Sequence, residues 1–62
     1  MNFDLESTVH RLDWLQGRLE HQGKDVTLEN AYMRNIDLLV HYGYILEADP
    51  YRDWYKTFKG DE

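Results

Sequence analysis

The stretch DLESTVHRLDWLQGRLEHQ, residues 4–22, decides the fold class. Leu5, Val9, Leu12, Leu15 and Leu19 recur at spacings of four, three, three and four, which places them along one side of an α-helix. Asn2 or Asp4 can cap the start, Glu6 falls in the first turn where the helix dipole favours a carboxylate, and Gly23 is a natural stop. Gly17 weakens the interior by about 0.5–1 kcal/mol relative to Ala.

Working outward, Gly23–Val26 reads as a short loop. Thr27 is expected to cap a second helix, with Glu29 in its first turn and Val26 stapled against Ala31. That helix runs from about Leu28 to Tyr42 and is apolar around most of its circumference. Leu28, Tyr32, Ile36, Leu39 and Val40 form one face, which Ala31, Met33, Leu38 and Tyr42 widen. Asn30, Arg34, Asp37 and His41 make a narrow polar strip. So broad an apolar arc implies contact from more than one side.

Asp49-Pro50 then reads as a cap followed by proline at the first helical position. This predicts a short third helix over about 50–58 and an end to the second helix before Asp49. The expected architecture is all-α: an antiparallel helical hairpin plus a short C-terminal helix in one domain spanning residues 1–62, with dimerisation into a bundle as a further option.

Composition narrows the function classes. A chain of 62 residues buries only about 60% of its unfolded surface, so it needs a staple, dense packing or a partner. It has no cysteine, which removes disulfides and thiolate metal sites. Hydrophobic residues at 42% are too many for simple disorder, and aromatics at 15% offer large contact areas. The net charge of −5 argues against nucleic-acid phosphates and anionic membranes. No apolar run approaches the roughly 20 residues of a membrane span. No basic leader opens the chain, so the expected location is cytoplasmic.

Four constellations carry the functional reading. On the back of the first helix, Phe3, His10, Trp14, Gly17 and His21 lie opposite the leucine stripe, where they form either a second interface or the seat of the third helix. In the tail, Tyr51, Trp54, Tyr55 and Phe58 stand at i, i+3, i+4 and i+7. So short a helix cannot stand alone, so this face either enters a partner's groove or closes the chain's own core. Arg52, Lys56 and Lys59 give the tail a local positive bias. His10, His21 and His41 lack metal-site spacing: His10 and His21 share a face but sit about 16 Å apart along the axis. The acids are interleaved with bases, six and three in residues 1–31 and six and four in residues 32–62, which fits a solvated surface better than mimicry of DNA.

No catalytic equipment emerges. Ser7 and Thr8 near His10 are an ordinary helical coincidence, and no phosphate-binding glycine loop is present. The expected function is therefore that of a non-enzymatic module without cofactor or metal. It would bind a larger protein and modulate it, most simply by inhibition, as small acidic phage-type or regulatory proteins do in outline. The partner-binding residues expected are His10, Trp14, Tyr51, Trp54, Tyr55 and Phe58. The alternative is a structural or regulatory homo-oligomer, a dimer of two-sided helical units. A helix-turn-helix nucleic-acid binder ranks last, because its third helix would be greasy as well as basic.

Overall fold

In the computed structural model, which describes residues 3–60, the chain is all-α, with helices α1 (Leu5–Gln22), α2 (Val26–His41) and α3 (Ile45–Lys59). Asp4 caps α1 by accepting the Ser7 N–H at 3.2 Å. The leucine stripe does what its spacing implies. Leu12, Leu15 and Leu19 are buried, with Leu5 and Val9 partly covered at its edge.

The second helix starts earlier than expected. Asp25, not Thr27, is the cap. Its carboxylate accepts the Leu28 N–H at 3.1 Å, and Glu29 reaches back to accept the Asp25 N–H, also at 3.1 Å. Thr27 lacks that reciprocal partner, so the cap goes to the residue whose donor and acceptor are both used. Val26 becomes the first helical residue and stays exposed instead of stapling to Ala31.

Gly43 closes the end of α2. At φ 89 its N–H donates to the Val40 carbonyl at 3.0 Å, and the Tyr44 N–H reaches the Leu39 carbonyl at 2.7 Å. This is a Schellman closure, and it needs the left-handed backbone that glycine adopts without strain.

The third helix is the main correction. It begins at Ile45, not at Pro50, and Pro50 lies inside it. Tertiary burial overrides the local Asp-Pro signal. Ala48 is fully buried in the core and its N–H is held by the Tyr44 carbonyl at 3.1 Å, so the chain is helical before the proline arrives. Pro50 leaves the Leu46 carbonyl without its i+4 donor. Pro50→Ala restores that N–H at an exposed position. It is expected to raise stability by up to about 3 kcal/mol, seen as a higher urea midpoint with an unchanged slope.

The core consists of Leu12, Leu15 and Leu19 from α1, Tyr32, Ile36 and Leu39 from α2, and Ala48 and Tyr55 from α3. Helix α2 supplies the middle of the assembly, in contact with both α1 and α3. One polar cluster enters the α1–α2 seam, built on the buried Thr8 and Asn35. The buried Asn35 amide donates to the Ala31 carbonyl at 2.8 Å and accepts from Arg11 Nε at 3.0 Å, while Arg11 Nη2 donates to Thr8 Oγ1 at 3.3 Å. Every member has a partner, so the cluster fixes register without an unpaired polar atom.

Candidate interaction surfaces

The six residues singled out from the sequence fall into two separate places. Tyr51, Trp54, Tyr55 and Phe58 turn inward to pack on the core, the first three of them around Tyr32, which is fully buried. The Tyr32 ring lies 5.5 Å from both Trp54 and Tyr55 and 6.4 Å from Tyr51, and Trp54 stacks on Phe58 at 5.0 Å. The polar tips of these rings end on carboxylates of the other helices. Tyr51 Oη donates to Asp13 at 2.8 Å, Trp54 Nε1 to Glu20 at 3.2 Å and Tyr55 Oη to Glu29 at 3.1 Å. An amphipathic aromatic uses its body for packing and its tip for tethering. Three of the acids that read as solvation from the sequence thus anchor α3.

Burial first, and for Tyr51 and Tyr55 the carboxylate tethers after it, favour the neutral form of the phenols. Burial pushes the Tyr32 hydroxyl well above its ordinary range, aided by Tyr51 and the charges of Asp13 and Glu20. Tyr51 is pushed up to about 12, first by burial and then by its hydrogen bond to Asp13. Burial and the bond to Glu29 raise Tyr55. All three hydroxyls act as donors, which suits a structural role.

His10 and Trp14 remain outside. Trp14 is 59% exposed, and the Arg18 guanidinium stands 5.8 Å from its ring centre. One turn apart on α1, His10 and Trp14 flank a shallow cleft of about 410 Å³ whose far wall is Ala31 and Asn35 of α2. The back of α1 is therefore not the seat of α3, which packs mainly on α2 and meets α1 along the flank that carries Asp13 and Glu20. Phe3, expected on that back face, lies ahead of the helix and stacks on Tyr42 at 4.3 Å and Tyr44 at 5.7 Å.

Sequence reasoning missed a second surface. Met33, Ile36 and Val40 of α2 and Tyr55 of α3 floor a groove of about 440 Å³, edged by Arg52, Lys56 and Lys59. Both halves were visible, as an over-wide apolar arc on α2 and a basic flank on α3. Their juxtaposition depends on how the two helices meet.

Among the described residues, no group of three or more His, Cys, Asp or Glu side chains could hold a metal ion, and no helix is long and apolar enough to cross a membrane. No protein family, no curated protein and no solved structure matches this chain. The class defined by fold and surface is that of a three-helix protein whose largest exposed aromatic, Trp14, sits beside a cleft.

Proposed function

We propose that this protein is a binding module that docks on a larger protein in the cytoplasm and modulates it, most simply by covering a working surface. The observation that carries the reading is the contrast between the two tryptophans. Trp54 is drawn into the core around Tyr32, whereas Trp14 stays 59% exposed beside His10 and a cleft. A tryptophan left outside, next to a concavity, is the side chain most enriched among interface hot spots. An antiparallel α1–α2 hairpin would present it on a rigid helix, and the contacts of Arg11 with Asn35 and of Gln16 with Tyr32 support that arrangement.

Trp14→Ala is expected to weaken capture of the partner by about 2 kcal/mol, roughly 30-fold, while shifting stability by no more than about 0.5 kcal/mol. Affinity capture from host lysate, with wild-type and Trp14→Ala baits side by side, checks this. Capture that is indifferent to Trp14 would remove the proposed site.

A second reading is a homodimer, favoured by exposed Tyr42, Ile45 and Leu46 at the α2–α3 turn, Leu46 being 81% exposed. Light scattering at high micromolar concentration decides it: a 7.5 kDa species would exclude the dimer.

A further inference from the structure

We propose that the α2–α3 groove is a second docking site, distinct from the Trp14 face, and that its occupant is an acidic amphipathic helix of a partner protein. The inference extends the binding-module reading to a different surface and a defined partner chemistry.

The floor argues for an apolar stripe. Met33, Ile36 and Val40 stand at i, i+3 and i+7 along α2, a length of roughly 10 Å, or two helical turns. Ile36 and Tyr55 are buried and form the base, while Met33 is 43% and Val40 37% exposed. These two are the unsatisfied apolar edges that a partner would cover. Methionine suits such a surface because its flexible thioether adapts to the side chain laid against it.

The edge argues for acid. The chain carries a net charge of −5, yet three of its seven bases, Arg52, Lys56 and Lys59, line this one groove, against a single lining carboxylate, Asp37. Arg11 and Arg18 are engaged within α1 and across the α1–α2 seam. The groove cations, by contrast, take part in no hydrogen bond among the described residues, and Lys59 rests 5.6 Å over the Tyr55 ring, at the groove wall. Charges beyond about 8 Å are largely screened at physiological salt. A docked segment therefore feels the local cations more than the distant acids.

The walls argue for a helix over an extended strand. Both sides of the groove are α-helices whose backbone groups are used internally, so they offer side chains and no ladder. An extended peptide would bury its own N–H and C=O groups without partners, whereas a helix brings its own. The occupant is thus a helix with apolar residues at i, i+3 or i+4, and i+7, flanked by Glu or Asp toward α3. Bound, it would complete a four-helix packing unit.

The test uses two synthetic helical probes of about 18 residues, long enough to hold helix when docked. They share one leucine stripe and differ only in carrying Glu or Lys on the flanks. Met33 supplies a local reporter, because Met1 is the only other methionine and the ¹³C-methyl spectrum has two signals. The Glu probe is expected to shift the Met33 methyl, to bind at least tenfold tighter than the Lys probe, and to lose affinity with added salt. In Arg52→Glu/Lys56→Glu/Lys59→Glu the preference should reverse. Should that variant lose its helical circular dichroism, Lys56→Glu alone should still narrow the gap at least threefold.

Equal binding of both probes overturns the proposal. So does binding that leaves the Met33 methyl unmoved, or binding abolished by Trp14→Ala and indifferent to the groove charges. Concentration-dependent broadening of Met33 in the protein alone would assign the groove to a second copy. Displacement of the Glu probe by phosphatidylserine vesicles would assign it to a membrane. Either result also overturns the proposal. Failure of the probes alongside intact Trp14-dependent capture would sink the groove and leave the primary function standing.

Discussion

Tyr32→Ala is expected to lower the stability of the fold by about 3–5 kcal/mol. Tyr32 is fully buried, and three α3 aromatics are arranged around its ring. Truncating a buried aromatic costs about 3–5 kcal/mol, part from lost transfer and part from the cavity. Stability of roughly 0.05–0.15 kcal/mol per residue gives a chain of this length about 3–9 kcal/mol in total. The one substitution therefore removes a third or more of what holds the fold. Tyr32→Phe separates ring from hydroxyl. It loses only the one O–H donor, shared between Gln16 Oε1 and the Tyr51 carbonyl at 3.2 Å each, and should cost about 1 kcal/mol. Urea melts followed by circular dichroism check both values. A Tyr32→Ala protein melting within a few degrees of wild type would mean that α3 does not depend on this ring.

The second large effect is alkaline. A phenol whose folded pKa is raised keeps its proton in the fold after the unfolded chain has released it. Stability from that group is complete below about pH 10 and is lost as pH rises through the folded pKa. For Tyr51, pushed up to about 12, the window is pH 10 to 12. Its share is up to about 2 kcal/mol once solvent screening is allowed for. Tyr32 and Tyr55 are raised too and steepen the decline in the same direction. Urea midpoints should hold steady from about pH 8 to 9.5 and then fall sharply. Tyr51→Phe should start from lower stability, having lost the bond to Asp13, but decline less steeply. A midpoint flat to pH 12, or an unchanged slope in Tyr51→Phe, would contradict the tethered-phenol picture.

Much of this fold was legible because its signals are local. The Leu12, Leu15 and Leu19 stripe, the Asp4 cap and the Gly23 stop each act through neighbours within a turn or two. The start of α3 was not legible. Asp49-Pro50 is a strong local sign, yet burying Ala48 against the other helices outweighs one lost backbone bond, and nothing near Ala48 in sequence announces that burial. The choice between Asp25 and Thr27 turned on whether Glu29 could reach back, a detail of geometry and not of residue type.

The candidate surfaces divide the same way. The aromatic spacing of the tail was readable, but whether Trp54 faces a partner or Tyr32 depends on the path of the chain after Gly43. The exposure of Trp14 follows from α3 choosing α2 over the back of α1, which periodicity alone leaves open. The basic flank of α3 gained meaning only once Met33 and Val40 were found across from it.

The most direct measurement is acrylamide quenching of Trp14 as the sole tryptophan, in Trp54→Phe protein, free and then saturated with its captured partner. Free, Trp14 should quench almost as readily as a tryptophan in solvent, in keeping with its 59% exposure, and partner binding should shield it several-fold. A Trp14 already shielded in the free protein, or one still fully open in the complex, would contradict the assignment of that face to partner binding.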